Sequence, residues 1–162
     1  MSIKVLLTGG TIDKYYNPLK GELSFNHTRI AEAFRQGNCT VALDIDTLFL
    51  KDSLEMTEAD RAQIAAACAA CPQQQILITH GTDTMAETAR YLLAAGLGKT
   101  IVLTGAMIPL TINGSDGLFN LGSAVMTVQC LPIGVHIAMN GQVFAGETAV
   151  KNRALGVFET RA

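Results

Sequence analysis

The strongest constraint on how this 162-residue chain can fold is an alternation along it: short apolar runs ending in Gly or Thr, each followed by a segment with helical spacing. Residues 3–8 form the first apolar run and end at Gly9-Gly10. Asn26 is placed to cap a helix whose Ile30, Ala33 and Phe34 share one face, with Gly37 as its stop. Residues 40–45 alternate weakly and read as strand. Thr57-Glu58-Ala59-Asp60 has the form of a capping box, opening a helix that buries Ile64, Cys68 and Cys71. Residues 76–79 predict a buried strand. Thr84-Met85-Ala86-Glu87 predicts a second capping box, with Thr88, Leu92 and Gly96 behind it. Residues 101–104 predict another buried strand. Ser115 is placed to cap a long helix striped by Leu118, Leu121, Val125 and Val128 and stopped by Pro132. Runs at 133–138 and 142–145 flank Asn140-Gly141, a strong hairpin signal.

Strands alternating with helices predict an α/β fold. Residues 1–162 are expected to form a single three-layer αβα domain, with a mostly parallel sheet and a C-terminal hairpin. Ligands of such folds sit at the carboxyl ends of the strands. The polar clusters at 8–11, 80–83 and 104–106 all fall there.

Charged residues make up 16% of the chain, against roughly 25% in an average soluble protein. With 49% hydrophobic residues, disorder is excluded, and more apolar surface is expected than a monomer of this size hides. A net charge of −2 gives no electrostatic footprint for nucleic acid or an anionic membrane. Met1-Ser2-Ile3-Lys4 leads directly into a strand of about five residues, far short of the ~20 needed to span a bilayer. A cytoplasmic protein is expected.

Several motifs lead nowhere. Gly98-Lys99-Thr100 resembles the end of a phosphate-binding loop, but Leu93 stands where the first glycine belongs and a strand follows. Ser115 lies in Gly114-Ser115-Asp116-Gly117, which is not a nucleophile elbow. Cys68-x-x-Cys71 is a single pair ending a helix, and with Cys39 and Cys130 it is read as buried small hydrophobes, not metal ligands. His27, His80 and His136 are scattered and read as structural. No metal site is expected.

The chemistry lies in hydroxyls and one carboxylate at strand ends. Thr11 follows two glycines that let the backbone turn tightly and approach a ligand. Thr82 and Asp83 stand just before a helix, whose free N–H groups favour negative charge. Taken alone, either cluster also reads as an ordinary helix cap.

The ordered set Thr8-Gly9-Gly10-Thr11-Ile12-Asp13, His80-Gly81-Thr82-Asp83-Thr84-Met85, Leu103-Thr104-Gly105-Ala106-Met107 and Ser115-Asp116-Gly117 with Asn120-Leu121 resembles the bacterial-type L-asparaginases. The likeness covers essentially the whole chain and resembles a short-chain form, ending where longer relatives begin a second domain. It implies an amidohydrolase that converts L-asparagine and water to L-aspartate and ammonia through a threonine nucleophile and acyl-enzyme, without metal or cofactor. Thr11 matches the nucleophile of the family, and Thr82 and Asp83 its second threonine and carboxylate. Gly146-Glu147-Thr148-Ala149-Val150-Lys151 matches the stretch bearing the family's lysine and points to Lys151. The family's loop tyrosine falls on Tyr15 or Tyr16, and its spacing in short-chain relatives favours Tyr16. Asp52-Ser53 resembles the pair that holds the substrate's amino and carboxylate groups, while Gly81 and Ala106 complete the implied substrate contacts.

These residue types suit the reaction. A threonine hydroxyl is a weak nucleophile until something removes its proton. A lysine acts as base only when desolvation brings it well below ~10.4, and a neighbouring carboxylate opposes that. Asp83 is therefore expected to orient and relay. Residues 13–24, with Pro18 and Gly21, read as a lid that excludes water. Two rival readings keep the same motifs: a glutamine-directed amidase that supplies ammonia, and an inactive amino-acid-binding module. The resemblance also implies that in longer relatives a neighbouring copy's second domain completes the site; with that contact missing and the composition so apolar, a homodimer or homotetramer is expected.

Overall fold

A computed structural model describes residues 2–161. Its centre is a six-stranded sheet made of β1 (Ile3–Gly9), β4 (Leu43–Lys51), β5 (Gln75–Thr79), β6 (Thr100–Thr104), β7 (Gly134–Met139) and β8 (Gln142–Ala145), in the order β4-β1-β5-β6-β7-β8. All neighbours are parallel except β7 and β8. Two small antiparallel pairs lie outside it: β2 (Lys14–Asn17) with β3 (Glu22–Phe25), and β9 (Ala149–Asn152) with β10 (Val157–Thr160).

Four helices cover the sheet: α1 (Ile30–Gln36), α2 (Glu58–Ala70), α3 (Met85–Ala94) and α4 (Gly117–Cys130). The central strands are apolar at nearly every position because both faces are covered. On one face Leu6, Ile78, Ile101 and Leu103 pack with Ile64 and Cys68 of α2 and Met85, Ala89 and Leu92 of α3. On the other, Val5, Leu7, Leu77 and Val102 pack with Ile30 and Phe34 of α1 and Leu121, Val125 and Val128 of α4. The three-layer α/β architecture with its hairpin is as expected. Asn140 and Gly141 both have positive φ, 56° and 72°, as a two-residue hairpin turn of this twist requires.

The winding reverses at β1. The chain passes from β1 to β4 on one side, then returns through α2 to β5 on the other. In doubly wound folds ligands bind at such a reversal, above the carboxyl ends of the strands, which places the site above β1 and β5.

Some boundaries differ from expectation for identifiable reasons. Asn26 does not cap α1; Thr28 Oγ1 accepts from Ile30 N instead, and the helix starts there. The strand expected at 40–45 is β4, displaced toward the C-terminus. Its Asp44 and Asp46 look unfavourable for a strand, yet both meet the buried Lys4 of β1 across the ladder. The Thr84–Glu87 box does not form, because Thr84 Oγ1 donates to Ser53 O at 2.8 Å and Glu87 reaches Arg61 at 3.1 Å. Ser115 stands one residue before the N-cap Asp116. Residues 13–24 form no open loop; they build most of the β2–β3 hairpin. Of the four cysteines only Cys68 is fully buried, with its thiol pushed up to about 12 by burial, and Cys130 is exposed.

The Thr57 box does form. Thr57 Oγ1 accepts from Asp60 N at 3.3 Å and Asp60 Oδ2 accepts from Thr57 N at 2.8 Å. Asp60 also takes Lys51 at 2.6 Å, and that bond leads in holding its carboxyl down at about 2. Thr57→Ala should lower stability by about 1 kcal/mol. In urea denaturation the midpoint should fall while the slope stays unchanged.

Candidate active site

Three loops close on one another where the winding reverses. Gly10 follows β1 with φ +81°, and a Cβ there would strike the backbone of Gly81. Gly81 follows β5, and a Cβ there would come within 2.6 Å of Ser53 Cβ and Oγ. The segments bearing Thr11, Thr82 and Ser53 are thus stacked so closely that positions 10 and 81 admit only glycine. Ser53, 1% exposed, lies at the bottom, and its Oγ accepts from Thr84 N at 3.4 Å.

Lys151 enters from β9. This pair is tied to the domain by Arg90 Nη1, which donates to Ala149 O at 3.1 Å, and by the buried Phe158, whose ring lies 6.1 Å from that of Phe144. Lys151 Nζ donates to Thr82 Oγ1 at 2.7 Å and to Asp83 Oδ1 at 2.8 Å, with its side chain only 9% exposed. Side chains 68 and 69 residues apart in sequence thus form one bonded triad.

The other expected residues surround it. Thr11 opens a single 3-10 turn, half-buried, joined to the triad through the Gly10–Gly81 backbone contact. Tyr15 and Tyr16 lie on opposite sides of β2; Tyr15 is half-buried and Tyr16 is 57% exposed. Asp52 Oδ2 accepts from Lys14 Nζ at 2.5 Å, tying the hairpin's first residue to the Ser53 loop. That bond is the leading cause of its lowered pKa. The Ala106 side chain is buried in the core, leaving only its backbone for a substrate contact.

Two of the motif residues, Asp116 and Asn120, carry no role read from sequence, and Arg153 is not singled out there at all. Asp116 accepts from the backbone N–H groups of Met107 and Ile108 at 3.0 Å, and Asn120 Nδ2 donates to Gly105 O and Asp116 Oδ2 at 3.0 Å. Together they hold the loop after β6 beside Thr82. Arg153, two residues after Lys151, lies 3.5 Å from Asp83 O. Its signal was the cationic pair Lys151-Asn152-Arg153, legible only once β9 is known to face Asp83. Among the described residues no cluster of three or more His, Cys, Asp or Glu is arranged to hold a metal. Nor is any described helix long and apolar enough to cross a membrane.

The fold and site define a doubly wound α/β domain with a threonine–lysine–aspartate centre at its switch point. Residues 2–159 match the family described as "Asparaginase, N-terminal", and the chain belongs to the asparaginase family. L-asparaginase 1 of Escherichia coli K12 is 34% identical over 165 residues, spanning 96% of this chain and 48% of that protein. L-asparaginase I from Vibrio cholerae superposes with TM-score 0.87 at 30% identity, covering 98% of this chain and 51% of that one. A probable cytoplasmic L-asparaginase from Campylobacter jejuni superposes with TM-score 0.82 at 29% identity, covering 98% and 52%. The chain spans about half the length of the relatives it matches.

Two buried titratable groups flank the centre with opposite effects. Asp13 is 5% exposed; Thr28 Oγ1 donates to its Oδ1 at 2.7 Å, and its Oδ2 has no partner among the described residues. Burial, the dominant cause, pushes this carboxyl up to about 6. The native state keeps a proton that the unfolded chain releases near 3.8, so Asp13's contribution to stability is lost as pH rises from about 4 to about 6. His80 is fully buried, and burial pushes its pKa down from 6.5 to about 4, so its contribution is lost as pH falls through that range. The two slopes oppose each other in the native protein. Asp13→Asn removes one of them. Its stability should climb between pH 4 and 6 more steeply than the parent's, by on the order of 3 kcal/mol in all. Urea titrations across that range test this, and parallel profiles would contradict it.

Proposed function

We propose that this chain hydrolyses L-asparagine to L-aspartate and ammonia, with residues 1–162 as the catalytic unit and without metal or cofactor. The observation that carries the proposal is the Lys151 ammonium bonded to both Thr82 and Asp83, beside the turn that bears Thr11. Thr11 Oγ attacks the side-chain amide carbon, and backbone N–H groups near Gly81 and Thr82 stabilise the developing oxyanion. The proton lost by Thr11 Oγ passes to the amide nitrogen as the C–N bond breaks, so that ammonia leaves and an ester forms on Thr11. Water beside Thr82 Oγ1 then attacks that ester, its proton returns to Thr11 Oγ as the ester C–O bond breaks, and aspartate is released. Lys151 holds Thr82 by donating to its hydroxyl. Asp83 holds the lysine in place. Asp52 and Ser53, with backbone at Gly81 and Ala106, hold the amino-acid end of the substrate. Tyr16 assists from the β2–β3 hairpin as it closes over the site. A cytoplasmic location belongs to the same reading and is supported by the description of the Campylobacter neighbour.

Ammonia release from asparagine and from glutamine by the purified protein tests the activity. Asparagine should be the better substrate; glutamine alone would indicate the ammonia-supplying amidase, and neither would indicate a binding module. Thr11→Val and Lys151→Met should each lower turnover by about 10²–10⁴-fold with near-normal folding. Activity of Thr11→Val within tenfold of the parent would remove Thr11 as nucleophile.

Self-association into a homodimer or homotetramer is also proposed. It is supported by large apolar side chains left in solvent, among them Phe119 and Met126 on α4 and Leu155 beyond β9. Such surface on so small a domain favours symmetric pairing. Light scattering after size exclusion should give a multiple of 17.2 kDa, and an active species of about 17 kDa would refute it.

A further inference from the structure

Beneath the Gly81–Thr82 peptide a line of three polar side chains runs into the interior, and each hydrogen along it has one placement. Gly81 O can only accept, so His80 Nδ1, 2.7 Å away, carries a hydrogen. In the neutral ring Nε2 then presents a lone pair, and Thr88 Oγ1, 2.8 Å from it, donates. Arg61 Nε can only donate, and it lies 3.2 Å from the same Thr88 Oγ1. Arg61 is held in turn by Glu58 at 3.3 Å and Glu87 at 3.1 Å. Met56 Sδ also lies 3.1 Å from His80 Nε2. A hydrogen on Nε2 could point at that sulfur, but it would leave the Nδ1 lone pair facing the Gly81 carbonyl. The direction is therefore from Arg61 to Thr88 to His80 to Gly81.

The consequence reaches the site through a rigid peptide. A trans peptide points its C=O and its N–H in opposite directions, so drawing Gly81 O toward His80 aims Thr82 N–H the other way. His80 and Thr88 are fully buried and Arg61 is 5% exposed. None of the three is positioned to touch a substrate. We propose that Arg61, Thr88 and His80 form a positioning relay that fixes the Gly81–Thr82 peptide, and with it the Thr82 N–H and hydroxyl, for amide hydrolysis. Its catalytic meaning rests on the function proposed above; its hydrogen placement does not.

Long-range proton–nitrogen spectra of the ¹⁵N-labelled full chain read the His80 tautomer directly. The parent protein should show His80 with its hydrogen on Nδ1. Thr88→Ser keeps the hydroxyl and should keep both tautomer and activity. Thr88→Val keeps the shape without the hydroxyl; it should leave the hydrogen on Nδ1, shift the Nε2 nitrogen resonance as that nitrogen loses its donor, and lower kcat by about ten- to a hundredfold, with KM within about twofold. Should Thr88→Val fail to fold, Arg61→Lys serves as the kinetic arm, with the same loss confined to kcat, and the parent spectrum needs no variant. A ring protonated on Nε2, or a folded Thr88→Val with full kcat, overturns the relay. A parent protein that hydrolyses neither amide overturns the proposed function and the catalytic half of this inference, while the spectrum still judges the tautomer.

Discussion

The close approach of Gly10 to the Gly81 backbone, and of Gly81 to Ser53 Cβ and Oγ, is the constraint on which the rest of this structure depends. Three loops from three different strands meet with only the Ser53 side chain between them. Any residue with a Cβ at Gly10 or Gly81 would push β1 away from β5, or lift the Thr82 turn off its support. The close stack brings Thr11 and Thr82 onto one floor without any bond between their side chains. The sheet order makes this possible, since β4, β1 and β5 are neighbours and their following loops leave from the same end of the sheet.

Above that floor the chemistry is delivered by parts with little apolar packing of their own. Lys151 arrives on a strand of four residues, held by one arginine, one phenylalanine and a few backbone bonds. Below it lies the reverse: His80, Thr88 and Arg61, buried and mutually bonded. A rigid base beneath a lightly held upper layer suits a reaction in which one partner must be fixed and another must admit substrate.

Sheet, helices and hairpin were legible because apolar runs and capping residues are local signals. Thr57 and Asp60 behaved as the pattern implies. Thr84 and Glu87 carry the same pattern and did not, because Ser53 and Arg61 offered them partners from distant segments. Competition of that kind leaves no trace in a window of four residues. Lys4 with Asp44 and Asp46 concealed part of β4 in the same way, since charges that read as loop neutralise one another across the ladder. The β9–β10 pair was invisible, being short and polar, so Lys151 could be located only by resemblance and Arg153 not at all. Thr11, Thr82 and Asp83 stood out because strand ends and glycines mark themselves.

The bond between Lys14 and Asp52 has a consequence of another kind. It is the charged hinge pin of the β2–β3 hairpin, whose far end carries exposed Leu19 and a turn closed by Asn17. An appendage fastened by charge near its root, and free at its tip, behaves as an interchangeable module. Changes of residue at its tip meet no core side chain that must move in response, so the tip can be rebuilt while the sheet beneath it stays as it is.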